Sequence, residues 1–468
     1  MLKEKLQKTT PFIYGITFIL ILSICSLGFL TPFSTVSIGS ASSGTEFNSS
    51  VSCLYKAGLN GSITSNILVD RLTDDGDETI LVGTSDGLYL ISNGVLQRYI
   101  PSPFGISHIA LVEDVTGDDL RDIVVSLKEA DVPALRCYDG ATGEKVWHFA
   151  SKQKVFVKGM GWGEVQLATT GLQIARDRDS QIVIVTSGRC VFALDVHEGS
   201  QLWKFEALDR LGHLALVADI NGDDVEELAI GSEDGYLYML SGKSGKVLWK
   251  KRIAEELTLE YGGGNTEMVQ TGITSIQTLA RETGRIITGS GDGKVRLIDL
   301  KDKRCVWEKT IVASEDDLPT NLRVFLGVDT TEDGLPEVLV AKDDYECQGD
   351  DRSSGGGSIF GGSTSRVPTI QWEEFGEGHQ EVQSSGELEQ REVTLLDAEG
   401  GEELWQRDLY LWSDADPEIA SHNGDPVFLE PHKQQVRRID LSTGDLLDSI
   451  AISTLDGEAP RIKVFNDE

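Results

Sequence analysis

From about residue 60 to 455, apolar and polar positions alternate with period two in short runs, as in "YLYML" (236–240) and "KVRLIDL" (294–300). Such alternation predicts β-strands with one face buried. The runs come in pairs joined by links such as "SGKSGK" (241–246) and "DGATGE" (139–144), whose glycines supply the positive φ that tight hairpins need. The hairpin recurs along the chain: "DGLYLISNGVLQRYI" (86–100), "LRCYDGATGEKVWHF" (135–149), "VFALDVHEGSQLWKF" (191–205), "YLYMLSGKSGKVLWKK" (236–251), "KVRLIDLKDKRCVWEK" (294–309), "EVTLLDAEGGEELWQR" (392–407) and "QVRRIDLSTGDLLDSI" (435–450). Trp147, Trp203, Trp249, Trp307 and Trp405 fall at one place in the unit, which predicts packing between neighbouring units.

Two further strands precede each pair, best seen in His108–Phe149 and His213–Ile253. Four antiparallel strands repeated about seven times at a period of roughly 40–55 residues predict an all-β fold, a β-propeller over residues 51–466. Seven blades are counted. Eight stay open, because Trp307 and Trp405 lie 98 residues apart where the other spacings run from 46 to 58. A propeller must close, and "APRIKVFN" (459–466) is expected to pair with "SVSCLYKAG" (50–58). Residues 343–390 are rich in Gly, Ser and acid without sustained periodicity, and read as an insertion, either a solvated linker or a partner-binding loop.

Three loops between the first two strands of a unit carry oxygen side chains at positions 1, 3, 5 and 9. They are Asp114, Thr116, Asp118 and Asp122; Asp219, Asn221, Asp223 and Glu227; and Asp329, Thr331, Asp333 and Glu337. Alternate positions of a tight loop can converge on a hard cation such as Ca²⁺, with the carbonyl at position 7 (Leu120, Val225, Leu335) as a further ligand. Residues 70–78 are a degraded fourth copy with Leu72 at position 3. The competing reading is acid-rich turns that bond their own backbone. A structural Ca²⁺ is expected.

The chain has 76 acidic against 42 basic residues, a formal charge of −34. That surface disfavours nucleic acid as a partner. Lys3, Lys5 and Lys8 precede a charge-free run over 12–30, just long enough to cross a bilayer as a helix. Residues 1–11 then read as a cytoplasmic n-region, 12–30 as a transmembrane signal anchor or signal-peptide core, and 31–50 as a polar linker. Gly39-Ser40-Ala41 resembles a cleavage site, so anchored and secreted forms are both open, each with the propeller outside the cytoplasm. "LSIC" (22–25) is a poor lipidation signal, Ile24 standing where a small residue belongs. Of six cysteines, Cys25 lies in the apolar run; the other five form no regular framework and read as buried free thiols, with one or two bridges as the alternative.

The acidic loops followed by "LAIGS" or "IVVS" resemble the calcium-binding FG-GAP repeats of integrin α-subunit propellers. The "YDGATGEKVW" and "LDVHEGSQLW" hairpins resemble the tryptophan-docking repeats of PQQ-like (quinoprotein-type) propellers, a superfamily that includes envelope-assembly lipoproteins of the BamB type. The literal Phe-Gly-Gly-Ala-Pro string is absent. These resemblances imply an extracytoplasmic, calcium-binding propeller that binds protein or glycan without catalysis. The alternatives are a quinoprotein-like oxidoreductase, another propeller enzyme, or a BamB-like scaffold. No vicinal cysteine pair is present, so PQQ is not expected, and HExxH and CxxC are absent. His108 and His213, each six residues before a loop's first Asp, form the one repeated histidine position.

Overall fold

The computed structural model describes residues 17–24, 51–59, 63–343, 369–370, 388–451 and 461–466, less short stretches of connecting loop. Strands dominate throughout. Seven four-stranded antiparallel sheets follow one another along the chain as the blades of a propeller.

Blade 1 is built from Ile63–Asp70, Thr79–Thr84, Gly87–Ser92 and Val95–Pro101, blade 2 from Ile106–Val112, Asp122–Leu127, Leu135–Tyr138 and Lys145–Phe149. Blade 3 holds Thr169–Asp177, Ser180–Ser187, Cys190–Asp195 and Gln201–Glu206; blade 4 holds Leu211–Val217, Glu227–Ser232, Tyr236–Leu240 and Val247–Arg252. Blade 5 is Ile273–Ala280, Arg285–Ser290, Lys294–Asp299 and Arg304–Thr310. Blade 6 is Asn321–Leu326, Val338–Asp343, Leu388–Leu396 and Glu403–Trp412; blade 7 is Glu418–His422, Asp425–His432, Gln435–Asp440 and Leu446–Ala451. The long Trp307–Trp405 spacing is therefore one interrupted blade, its second and third strands flanking the insertion.

A blade cannot bury both faces alone, and the apolar clusters show who covers whom. One cluster joins blades 1 and 2 around Leu81, Ile106 and Ile123, and another joins blades 3 and 4 around Ile184, Trp203 and Leu228. Blades 2–3, 4–5, 5–6 and 6–7 share clusters in the same way. Polar side chains tie successive first strands together. Asn66 donates to the carbonyl of Ile109 (2.9 Å) and accepts from its amide (2.8 Å). Thr274 donates to the carbonyl of Leu322 (2.8 Å) in the same manner.

Two expectations at the termini are corrected. A helix was expected over 12–30, but Thr17–Ile24 forms a strand, and the rest of that run lies outside the described residues. Its Thr and three Ile suit the extended backbone, and an apolar run by itself does not separate a buried strand from a helix. No helix among the described residues is long and apolar enough to cross a membrane. Ring closure also differs. Val51–Leu59 and Arg461–Asn466 share a sheet as expected but do not pair directly, because Thr17–Ile24 lies between them, parallel to the former and antiparallel to the latter. Arg461–Asn466 lies against the first strand of blade 7. Of the 343–390 insertion, the described part beyond its flanking strands is Thr369–Ile370, paired parallel to Phe156–Val157 of the hairpin between blades 2 and 3.

Candidate metal loop and tryptophan docking

The repeated tryptophans join the blades through one geometry. The indole N–H of Trp147 donates to the carbonyl of Val196, that of Trp203 to Gly242, that of Trp307 to Ala398 and that of Trp405 to Leu441, all at 2.7–2.9 Å. Each acceptor sits in the third-to-fourth-strand turn of the following blade. Three residues further on stands a glycine at positive φ: Gly199 (65°), Gly245 (66°), Gly401 (73°) and Gly444 (71°). The indole lies flat on that glycine. A Cβ at Gly199, Gly401 or Gly444 would come within 2.5, 2.7 and 2.9 Å of a ring carbon, and one at Gly245 would overlap the Trp203 ring.

Trp249 departs from the pattern. The turn it would meet carries Lys303 at φ 57° instead of glycine, and the Lys251 ammonium donates to the Lys303 carbonyl at 3.2 Å. Trp249 packs, partly buried, against the blade 4–5 cluster. Blade 1 has Arg98 and blade 7 Asp448 where the tryptophan would stand. At the blade 1–2 junction, Arg98 occupies the place above Gly143.

The three acidic loops share a backbone fold. Positions 4 and 6 are left-handed in each: Gly117 and Asp119, Gly222 and Asp224, Glu332 and Gly334. The third loop simply exchanges which of the two is glycine. The first Asp closes the loop on itself. Asp114 accepts from the amides of Gly117 (2.6 Å) and Asp119 (2.7 Å), Asp219 from Gly222 (2.6 Å) and Asp224 (2.8 Å), and Asp329 from Asp333 (3.1 Å) and Gly334 (2.8 Å). At position 5, Asp118, Asp223 and Asp333 accept from the amides of Leu120, Val225 and Leu335 at 2.8–3.1 Å.

Position 9 is fully buried in all three loops, at Asp122, Glu227 and Glu337. Asp122 accepts from Val115, Thr116 and, across the sheet, Gly140. Glu227 accepts from the Ile220 amide at 2.6 Å and from the Asn221 side chain. Glu337 takes the amides of Thr330 and Thr331. Burial pushes Glu227 up to about 7, and burial also raises Asp122. Asp114 is lowered, chiefly by the Gly117 amide. For Asp219, desolvation acts upward but the amides of Asp224, Gly222 and Asp223 outweigh it and hold the carboxyl low.

Only the blade 4 loop, among the described residues, brings three carboxylates together. One oxygen each of Asp219, Asp223 and Glu227 lies within 4.8 Å of the others, a spacing that fits ligands at 2.3–2.6 Å from one Ca²⁺. Asn221 is turned onto Glu227, and Thr116 onto Asp114 at 3.4 Å. Leu72, at position 3 of the degraded copy, is a buried core residue of the blade 1–2 cluster. The blade 4 loop is also pinned to blade 3. Asp177 bridges Val225, and Arg178 pairs with Asp224.

His108 and His213 lie on the first strands of blades 2 and 4. His108 Nδ1 is 3.0 Å from Ser126 Oγ, and burial pushes the ring down to about 4. Cys137 and Cys190 are buried free thiols as expected, whereas Cys305 is exposed. Cys25, Cys53 and Cys347 lie outside what is described of side chains. The turns at Asp86, Asp234 and Asp292 escaped the sequence reading. Tyr89 and Tyr238 donate to the first two at 2.9 and 2.8 Å, and buried Arg296 grips the third at 2.6 Å. The recurring "SDG", "EDG" and "GDG" was their signal.

Docked tryptophans between four-stranded blades define the class: this is a seven-bladed β-propeller. Residues 112–261, covering most of blades 2 to 4, match a family described as "Outer membrane protein assembly factor BamB". No curated protein sequence matches the chain. Similar solved structures include BamB from Moraxella catarrhalis (12% identity, 85% of this chain and 98% of that one, TM-score 0.46). The computationally designed Ika8 protein is similar at 13% identity over 86% of this chain and 96% of that one, with a TM-score of 0.46. BBS1N, solved in complex with ARL6DN, is similar at 10% identity over 84% and 94%, with a TM-score of 0.44.

Proposed function

We propose that the chain is a non-catalytic propeller scaffold that binds a partner protein, with one structural Ca²⁺ in the blade 4 loop. In this reading the propeller works outside the cytoplasm, which Lys3, Lys5 and Lys8 ahead of the charge-free run over 12–30 support. The observation that carries it is the match of residues 112–261 to an assembly-factor family. Within that stretch, the distinctive side chains are engaged in building the ring. Trp147 and Trp203 join blades, and Asp114, Asp122, Asp219 and Glu227 each accept at least one backbone amide. Protein is favoured over glycan as the partner. The exposed large apolar side chains are aliphatic, such as Val95, Leu96, Leu202, Leu446 and Leu447, with Tyr99 the one aromatic among the described residues. Sugars are usually held on aromatic faces. The test is cross-linking of the full-length chain in its native cells, read by mass spectrometry. One dominant protein cross-linked to the rim of the ring is expected. Cross-links confined to the chain itself would sink the scaffold reading.

A further inference from the structure

In a chain of net charge −34, residues 243–309 carry 13 Lys and Arg against 9 Asp and Glu. Exposed members gather on the outer side of blades 4 and 5: Lys246 and Lys251 on one blade, Lys301, Lys303 and Arg304 on the next. The contact from the Lys251 ammonium to the Lys303 carbonyl, 3.2 Å, brings the two groups side by side. Asp302 pairs with Arg304 at 3.3 Å, and both are well exposed. The equivalent turns of blades 2, 3, 6 and 7 carry Glu144, Glu198, Glu402 and Asp445 instead.

This is also where the repeat breaks its own packing rule. Four junctions seat an indole on a left-handed glycine. Here a lysine holds that conformation, which side chains disfavour, and Trp249 loses its seat. A local rule broken without a packing gain is a mark of a functional surface. Val247 and Leu248, both exposed, add apolar area beside the charges.

We propose that this blade 4–5 rim is the docking surface for a short acidic segment of the partner protein, and the proposal rests on the scaffold reading above. Charge complementarity selects the segment, and the rest of the molecule limits its size. A membrane face or a nucleic acid extends past the patch, and beyond it meets a strongly acidic body. Only a ligand confined to within about a Debye length, roughly 8–10 Å, gains attraction without repulsion.

The experiment is a fluorescence-anisotropy titration of the full-length chain with a labelled deca-glutamate peptide, at low and high salt. The wild type, the triple variant Lys251→Glu, Lys303→Glu, Arg304→Glu, and the single variant Lys303→Gly are compared. Salt-sensitive binding by the wild type is expected, weakened about tenfold or more in the triple variant at unchanged Tm. Lys303→Gly should weaken binding to a smaller extent while raising Tm, since it restores the glycine; it carries the test if the triple variant does not fold. Failure of the wild type to bind, or equal binding by the variants, overturns the proposal. So does preferential sedimentation with phosphatidylserine vesicles, which would make the surface a lipid contact. A dominant partner cross-linked to other blades would leave the scaffold reading standing and remove this surface alone.

Discussion

At the residue scale, two glycines with positive φ have different reasons to be glycine, and substitution separates them. Gly199 (φ 65°) lies under the Trp147 ring, whereas Gly117 (φ 88°) has nothing within 4 Å of where a Cβ would point. Gly117→Ala should cost only the left-handed backbone penalty, about 1 kcal/mol. Gly199→Ala adds displacement of a buried indole and its hydrogen bond, for roughly 3 kcal/mol in all. Denaturant unfolding of both variants measures the difference; equal losses would mean that the indole does not rest on the turn. His108 gives a pH signature. Its folded pKa, about 4, lies below the ordinary value of 6.5 because burial disfavours the imidazolium. The unfolded chain therefore binds the extra proton between those pH values. Stability from this group is complete above pH 6.5 and is lost as pH falls towards 4, by roughly 2–3 kcal/mol at most. A His108→Gln variant should show a flatter stability profile from pH 6.5 to 4 than the wild type.

At the scale of the element, the acidic loop is a closed turn before it is anything else. Its first Asp is satisfied by amides of its own loop, so the loops of blades 2, 4 and 6 can form without metal. What distinguishes blade 4 is a third carboxylate, Glu227, reaching the same point as Asp219 and Asp223. Glutamate is one methylene longer than the Asp122 of blade 2. Glu337 of blade 6 has that length too, but is drawn onto the Thr330 and Thr331 amides. Calcium is thus expected to stabilise the fold through blade 4, by about 2.7 kcal/mol at a hundredfold excess over Kd, and so to raise Tm. The paired variant Asp219→Asn, Asp223→Asn should abolish the increment, and Asp114→Asn with Asp118→Asn should leave it intact. Thermal melts in Ca²⁺ and in EDTA decide this, and no Ca²⁺ effect on the wild type would reduce the loops to turns.

Across the whole molecule, cohesion is uneven. Among the described residues, six apolar clusters bridge successive blades, while the seventh (Ile63, Ile80, Val82, Tyr89 and Ile91) comes from blade 1. Blade 1 and blade 7 also lack the tryptophan, Arg98 and Asp448 standing in its place, with Asp448 paired to Arg438. The ring should open first at this seam. Hydrogen exchange read by mass spectrometry should show faster exchange in the middle strands of blades 1 and 7 than in those of blades 3 and 4. Uniform protection around the ring would contradict it.

Much of this architecture was legible in the order of residues, because a propeller is written as local units. Period-two alternation, turn glycines and the tryptophan spacing involve neighbours in the chain, so strands, blades and their number follow from them. The contacts that give those residues their roles join positions 36 to 91 residues apart, as with Trp405 to Leu441 and Trp307 to Ala398. Only the folded ring decides that Trp249 has no glycine to rest on, that one acidic loop of three gathers its carboxylates, and that lysines of two blades meet on one rim. An apolar segment likewise carries no label saying what will cover it, and Thr17–Ile24 became a strand because two other strands flank it. Periodicity is a property of the backbone and can be read one residue at a time; convergence of side chains depends on how separate units are set against each other.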